Sequence, residues 1–279
     1  YPPPPSAAAL AAHRARHAAD AAAGRCVPPR AEAASVHNYG FSGIHYVRQL
    51  RAWFYEVPKS GSTTMVTFFH LRNGGRAQVP PGGPAPGDIG FVVARHPVER
   101  AVSAFHTAYS RAVGRTNSTN TQCPYRKFPY LQANISDSDG LSSAVALLGE
   151  RGAELADASC GYAYHHMLSQ AFFLWRERVR LLYSRSPPKG QLLARDDQLP
   201  SPVSVVLRLE SLAEDLLALC AARNATAYCQ KRIEQLGGIK SLNPSHKARL
   251  TDAAIRAAQR YYAPDFGCLG YGMAPEEGK

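Results

Sequence analysis

The segment EVPKSGSTTMVTFF, residues 56–69, joins a short apolar run to the hydroxyl-rich start of a second apolar run. Residues 52–57 (AWFYEV) predict a strand, because aromatic and β-branched side chains favour buried, pleated backbone. Residues 62–72 (STTMVTFFHLR) predict a helix. A strand that leads through a glycine loop into a helix N-terminus turns backbone N–H groups and the helix dipole towards an anion. The segment therefore predicts an anion site, with plain capping of the helix by Ser62 or Thr63 as the simpler alternative.

The residue order inside the loop excludes one large class of nucleotide site. A Walker A loop reads G-x-x-x-x-G-K-[ST], with its lysine after the second glycine. Here Lys59 precedes Gly61, and no Walker match occurs elsewhere in the chain. ATP-dependent phosphoryl transfer thereby loses its main support. Gly61 permits close approach of the backbone, and the other anion-binding candidates are Lys59, Ser60, Ser62, Thr63 and Thr64.

Outward from this segment, strand and helix patterns alternate along the chain. Residues 88–95 (DIGFVVAR) and 203–210 (VSVVLRLE) predict buried strands. Helices are predicted over residues 97–112, starting at Pro97, and over 162–178, 211–224 and 245–263. Ser211 with Glu214 fits a capping box at the start of the third of these. This alternation predicts an α/β fold with a central parallel sheet and helices on both faces.

A second candidate anion site follows the strand at residues 88–95. Arg95 ends that strand, at the carboxyl edge where α/β sheets bind ligands. Its guanidinium fork suits a phosphate group. Ser103, eight residues later on the predicted helix, is a candidate for the same phosphate. The simpler alternative is a buried pair of Arg95 with Glu99.

The two stretches PKSGSTT and RHPVERAVSAF together resemble the sulfotransferase superfamily. The first looks like its 5′-phosphosulfate loop, and the second like its 3′-phosphate motif R-[DH]-P-x-x-R-x-x-S-x-[YF]. The resemblance implies a three-layer P-loop-like fold and 3′-phosphoadenosine 5′-phosphosulfate as co-substrate. It implies that Lys59 and the loop hold the phosphosulfate, with Lys59 as the catalytic charge, and that Arg95 and Ser103 hold the 3′-phosphate.

Three further segments resemble the Golgi carbohydrate sulfotransferases, so that the likeness spans roughly residues 52–271. HHMLSQ resembles their H-[WF]-x-P-Q element through His166 and Gln170, although Met167 and Ser169 replace the usual aromatic residue and proline. The segment at residues 203–216 resembles a strand followed by E-x-L-x-x-D, with matches at Glu210, Leu212 and Asp215. Residues 261–271 resemble Y-x-x-D-[FY]-x-x-[FL]-G-Y, with matches at Tyr262, Asp265, Phe266, Gly270 and Tyr271.

The implied reaction is in-line displacement at sulfur by an acceptor hydroxyl, and it needs a general base. His166 is the first candidate, by chemistry and by resemblance. His165, His106 and Glu56 are the alternatives. No metal-ligand spacing appears, so we expect no metal. The expected acceptor is a carbohydrate, which can be anionic; a protein tyrosine, a lipid, a small alcohol and a non-catalytic glycan- or nucleotide-binding role remain alternatives.

Cysteines and sequons indicate the compartment. The six cysteines form no C-x-x-C pair, and Cys220 and Cys229 are close enough for a local disulfide. Three N-x-[ST] sequons begin at Asn117, Asn134 and Asn224. This combination favours a secretory lumen, and with the resemblance it predicts a Golgi type II ectodomain. Because the chain starts at Tyr1, we expect it to be processed or truncated, with any membrane anchor lying outside it.

Composition sets the remaining expectations. Residues 1–35 are rich in proline and alanine and predict a stem or linker, so that residues 36–279 form one domain. The formal net charge of +11 suits an anionic partner, although a solvated basic face explains it equally well. The lysines and arginines are scattered, which argues against a nucleic-acid partner. The long polar stretch at residues 114–139 is expected to shape the acceptor site.

Overall fold

The computed structural model describes residues 43–71, 85–113, 139, 142–143, 166–174, 203–239 and 250–271. The described residues belong to two compact units. The first contains residues 43–95 and 173–239, and the second contains residues 96–172 and 250–271. The predicted stem, residues 1–35, and the predicted start of the domain lie outside the described residues.

The first unit contains a four-stranded sheet in the order β1-β2-β3-β4. The strands are β1 (Ile44–Val47), β2 (Ala52–Tyr55), β3 (Ile89–Ala94) and β4 (Val203–Arg208). β2, β3 and β4 are parallel, as predicted, whereas β1 is antiparallel to β2. The sheet is therefore mixed: the predicted strands are parallel, and the antiparallel edge strand β1 was not predicted. The chain reverses at Arg51, which has a left-handed φ of 47°. Glycine or asparagine, the residues that usually mark such a turn in a sequence, are absent at this position.

The described helices follow the predicted alternation with different ends. They are α1 (Ser62–Phe68), α2 (Pro97–Val113), α3 (Gln170–Leu174), α4 (Leu212–Ala222), α5 (Thr226–Gln235), α6 (Asp252–Tyr261) and α7 (Ala263–Leu269). α2 begins at Pro97, as predicted. α6 begins later than predicted, because Thr251 is its N-cap and accepts a 3.3 Å hydrogen bond from the N–H of Ala254. None of the helices in these ranges is long and apolar enough to cross a membrane.

The core of the first unit lies on one face of the sheet. Alternate residues Phe54, Phe91, Val93, Val205 and Leu207 pack there against apolar side chains of α1, α4 and α5. Their neighbours Trp53, Tyr55, Val92 and Val206, which point to the other face, are buried as well. The apolar runs at the three parallel strands therefore reflect strands that are buried on both faces, as the sequence predicts.

Helices α4 and α5 are tied together by the disulfide Cys220–Cys229, whose Cα atoms lie 6.4 Å apart. The sequence spacing allows this local bridge but does not choose it among the possible cysteine pairings. Arg223, in the turn between the two helices, donates to the carbonyl oxygen of Leu50 at 2.7 Å and to that of Gly87 at 3.2 Å. The helix pair is thus fixed to the start of β2 and to the loop before β3, away from the carboxyl edge of the parallel strands.

The start of α4 differs from the predicted capping box. Ser211 stands at the N-cap, but its side chain makes no capping hydrogen bond. Instead Asp215 accepts a 2.7 Å bond from the N–H of Arg208 and a 3.2 Å bond from the Ser211 hydroxyl. Asp215 therefore ties the start of α4 to the end of β4, which differs from the capping box predicted for Ser211 and Glu214. Burial raises the pKa of the Asp215 carboxyl above its usual range, although these hydrogen bonds oppose the shift.

Candidate functional site

The loop between β2 and α1 carries two residues in left-handed backbone conformation. Lys59 has a φ of 67° and Gly61 a φ of 78°. A lysine in this region is unusual, because its Cβ crowds the backbone. Strained residues of this kind cluster at functional sites, but they also occur in turns, as Arg51 does in this chain. Lys59 as a whole residue is partly exposed.

Gly61 is the N-cap of α1, and this position requires glycine. A Cβ added there would lie 2.9 Å from the Leu209 Cδ1 atom, besides the strain of the positive φ. Gly61 thus adopts a backbone conformation that other residues rarely adopt, and its proposed close approach to an anion stays a prediction. The simpler alternative is wrong, because Ser62 and Thr63 lie inside the helix and no side chain caps it. The first-turn N–H groups therefore lack an N-cap acceptor, which is the condition for anion binding.

The four candidate hydroxyl groups of the loop differ in exposure. Thr63 is exposed and Ser62 is partly exposed, whereas Ser60 and Thr64 are buried. The first turn of α1 contains no acidic residue. Ser62 and Thr63 are thus the outward-facing donors beside Lys59. The surroundings favour a negative charge at this helix start.

Arg95 directly follows β3, which lies between β2 and β4 in the sheet. Because β2 and β3 are parallel, with Tyr55 opposite Val92, the loop and Arg95 follow the carboxyl ends of adjacent strands. Ligands of α/β sheets bind at this edge. Arg95 is buried, with 6% of its surface exposed. The first unit therefore holds the lysine loop and a buried guanidinium at one edge of its sheet, as predicted.

The second unit contains the two other predicted site residues, Ser103 and His166. Ser103 lies on α2 and is 9% exposed, one helical turn after the fully buried Arg100. His106, an alternative base, lies one turn further and is partly exposed. His166 is 7% exposed. Residues 114–138, including Asn117 and Asn134, lie outside the described residues, as does His165.

His166 lies in a turn and not on the predicted helix, which begins only at Gln170. The turn is held by side chains. The Arg100 guanidinium donates to the carbonyl oxygens of Leu168 at 2.6 Å and of His166 at 3.1 Å. The Tyr262 hydroxyl donates to the carbonyl oxygen of Met167 at 2.7 Å. These bonds replace the carbonyl partners that a continuous helix would supply.

The start of α3 explains why the helix begins after Ser169. The Ser169 hydroxyl accepts from the N–H of Phe172 at 3.1 Å, which is the N-cap bond to the third helical residue. Asp265 accepts from the N–H groups of Gln170 and Ala171, each at 2.8 Å. The first three N–H groups of α3 are thus satisfied. Ser169, which departs from the proline of the resembling family, has a clear structural role as a cap.

Asp265 is fully buried, and burial raises its pKa to about 6, against the lowering effects of Arg100 and of the hydrogen bonds from Gln170 and Ala171. A raised carboxyl pKa means that the folded chain binds the proton more tightly than the unfolded chain does. The stabilising contribution of this group is therefore complete below about pH 4 and is lost as the pH rises through about 6.

We expect Asp265→Asn to remove this part of the pH dependence. Relative to the variant, the wild-type free energy of unfolding should fall between pH 4 and pH 6, by on the order of 3 kcal/mol, and then stay level. Urea unfolding of both proteins at pH 4, 5, 6 and 7 measures the difference. Two curves that run parallel across this range would contradict the raised pKa.

Glu56, another alternative base, already has partners. Its Oε2 atom accepts from the N–H of Gly43 at 3.1 Å and lies 3.3 Å from the Nε2 atom of His45. His45 is buried in β1, and Glu56 directly follows β2, the strand that pairs with β1. This arrangement gives Glu56 a structural role in fixing the edge strand beside the lysine loop.

The structure shows three residues around the turn at His166 that the sequence analysis did not single out. Arg100, Asp265 and Tyr262 occur in the quoted motifs, but the sequence assigns them no task. Two signals in the sequence could have pointed to them: the second arginine of the R-x-x-x-x-R spacing, and the aspartate of the Y-x-x-D motif. Among the described residues, no cluster of histidine, cysteine, aspartate or glutamate is suited to a metal ion.

The chain matches no protein-family model, no curated protein and no solved structure. Its α/β fold with a mostly parallel sheet is therefore described from its own geometry.

Proposed function

We propose that the protein is a sulfotransferase with a P-loop-like fold. It moves a sulfuryl group from 3′-phosphoadenosine 5′-phosphosulfate to a hydroxyl of a carbohydrate. One observation carries the proposal: a lysine in left-handed conformation precedes a glycine-capped helix after β2, and an arginine follows the adjacent parallel strand. Lysine before glycine is the order of the resembling 5′-phosphosulfate loop and not of an ATP-binding loop. The buried Arg95 supplies the second phosphate contact that this donor requires.

In the proposed reaction the acceptor oxygen attacks sulfur as the bond from sulfur to the bridging phosphate oxygen breaks. The products are a sulfate ester and adenosine 3′,5′-bisphosphate. Lys59 stabilises the negative charge that develops on the bridging oxygen, and the first-turn N–H groups of α1 with Ser62 and Thr63 bind the non-bridging oxygens. Arg95 and Ser103 bind the 3′-phosphate. His166 takes the proton of the acceptor hydroxyl.

The compartment belongs to the proposal as well. A Golgi lumen is supported by the disulfide Cys220–Cys229 and by the further disulfide-bonded Cys268. It is also supported by the sequon at Asn224, which is exposed in a left-handed turn between α4 and α5.

Two measurements test the proposed function. Adenosine 3′,5′-bisphosphate should raise the melting temperature, because a ligand of the native state stabilises it by about 2.7 kcal/mol at a hundredfold excess over Kd. Adenosine 5′-phosphate, which lacks the 3′-phosphate, is the matched control. Transfer of labelled sulfate to panels of glycans, tyrosyl peptides, lipids and small alcohols then identifies the acceptor. Binding without transfer to any panel member would favour a non-catalytic relative, and no binding would exclude the donor.

We expect Arg95→Ala to raise the donor KM about 10- to 100-fold with a much smaller change in kcat. The lost interaction is a charge-assisted hydrogen bond to a phosphate that does not react, and such bonds contribute about 1.5–3 kcal/mol. Arg95→Lys, which keeps the charge and loses the fork, should give an intermediate KM. Steady-state kinetics with varied donor measures the effect. An unchanged KM in a folded Arg95→Ala protein would remove Arg95 from the donor site.

A further inference from the structure

The turn at residues 166–169 is held in place by buried polar side chains from two distant parts of the chain. Arg100 on α2 binds the carbonyl oxygens of His166 and Leu168. The other part is the segment around residues 262–265. The Tyr262 hydroxyl donates to the Met167 carbonyl oxygen, and Asp265 accepts from the first two N–H groups of α3. The backbone from the His166 carbonyl group to the start of α3 is therefore fixed by side chains that lie in the second unit.

Arg100, Asp265 and Tyr262 each have 0% of their surface exposed. Burying a guanidinium and a carboxylate is costly, and well-packed apolar residues of similar size often give equal or greater stability. Stability alone is therefore a weak reason for this arrangement. A fixed backbone geometry, which apolar packing does not impose on carbonyl groups, is a better one.

Arg100 also connects the turn to a predicted donor-binding residue. Arg100 and Ser103 are three residues apart on α2, so they lie on the same side of the helix. The helix that presents Ser103 thus holds the His166 carbonyl directly, at 3.1 Å. A shift of the turn along α2 would break two hydrogen bonds to one guanidinium.

We propose that Arg100 and Tyr262 are positioning residues that fix His166 relative to Ser103. The inference rests on the proposed function, since it takes His166 as the general base. Arg100 holds the His166 carbonyl, Tyr262 holds the next carbonyl, and Asp265 fixes the following helix start. A misplacement of about 1 Å in a reacting group can lower a rate by about 100-fold. These residues therefore act on kcat through His166 without contacting either substrate.

Tyr262→Phe is the sharpest test, because it removes one buried hydroxyl and keeps the ring. We expect kcat to fall about tenfold or more while the donor KM stays within twofold of wild type. Tyr261→Phe makes the same atomic change one position earlier, on a partly exposed ring, and should leave both constants unchanged. A Tyr262→Phe protein with wild-type kcat would overturn the inference, whatever its melting temperature.

Arg100 variants provide a second test through conservative rescue. Arg100→Met removes both carbonyl bonds, and Arg100→Lys keeps the charge and one donor direction. We expect kcat in the order wild type, Arg100→Lys, Arg100→Met, with an unchanged donor KM. Equal kcat for all folded variants would contradict the positioning role. If Arg100→Met fails to fold, the kcat of Arg100→Lys is compared with those of wild type and Tyr262→Phe instead.

A readout without catalysis separates this inference from the proposed function. The ring signals of His166 in protein labelled at histidine should shift in Tyr262→Phe and stay in place in Tyr261→Phe. If the wild-type protein transfers no sulfate but the His166 signals shift, the proposed function fails and the positioning of His166 by Tyr262 stands. If it transfers sulfate but neither the signals nor kcat change in Tyr262→Phe, the positioning role fails and the function stands.

Discussion

Lys59→Ala should lower kcat for sulfuryl transfer by about a thousandfold or more. Lys59 supplies a positive charge at the loop, and we propose that its ammonium group stabilises the bridging oxygen as the sulfur–oxygen bond breaks. The interaction strengthens in the transition state, so its loss appears mainly in kcat and less in the donor KM. Steady-state kinetics with the best acceptor from the panel measures the change.

The backbone conformation of Lys59 provides a control variant for folding. Its φ of 67° strains a residue that has a Cβ atom and suits glycine, which has none. Lys59→Gly should therefore fold at least as well as wild type while losing as much activity as Lys59→Ala. Lys231→Ala, which truncates an exposed lysine on α5, should change neither property. Normal transfer by a folded Lys59→Gly protein would end the proposed mechanism.

The sequence predicts the parallel strands and α2 well because their signals are local. Near-continuous apolar runs at β3 and β4 and a proline at the start of α2 each report the structure of their own segment. The edge strand β1 is missed because no glycine, asparagine or proline marks the turn that joins it to β2. In that turn Arg51 adopts a left-handed backbone conformation, which residues with a Cβ atom rarely adopt. A search for glycine or asparagine therefore does not find it.

The turn at His166 could not be predicted because its partners are remote in sequence. Asp265 lies 95 residues from Gln170, and Arg100 lies 66 residues from His166. The apolar spacing of residues 162–178 favours a helix, and only Ser169 signals a later start through its capping ability. Long-range side chains decide the conformation there, and local periodicity does not record them. The loop at Lys59 was more readable, because glycine and hydroxyl residues mark it directly.

His166→Ala should lower kcat by about 10²- to 10⁴-fold, the usual contribution of a general base. Its fold should survive, because the hydrogen bond from Arg100 goes to the His166 carbonyl oxygen and a side-chain truncation leaves that bond in place. The donor KM should change little, since His166 is assigned to the acceptor proton. Added imidazole should restore part of the lost rate, because a small base can occupy the space of the missing ring.

Two comparison variants decide between His166 and the alternative bases. Glu56→Gln removes a carboxylate that already binds His45 and the N–H of Gly43, so we expect a loss of stability at the β1 edge with kcat per folded molecule nearly unchanged. His106→Ala alters a partly exposed ring on α2 and should also retain kcat. If His166→Ala keeps full activity while Glu56→Gln or His106→Ala loses it, the base moves to that residue. The positioning role of Arg100 then fails, but the assignment of Lys59 does not, since the lysine acts on the leaving oxygen and not on the acceptor proton.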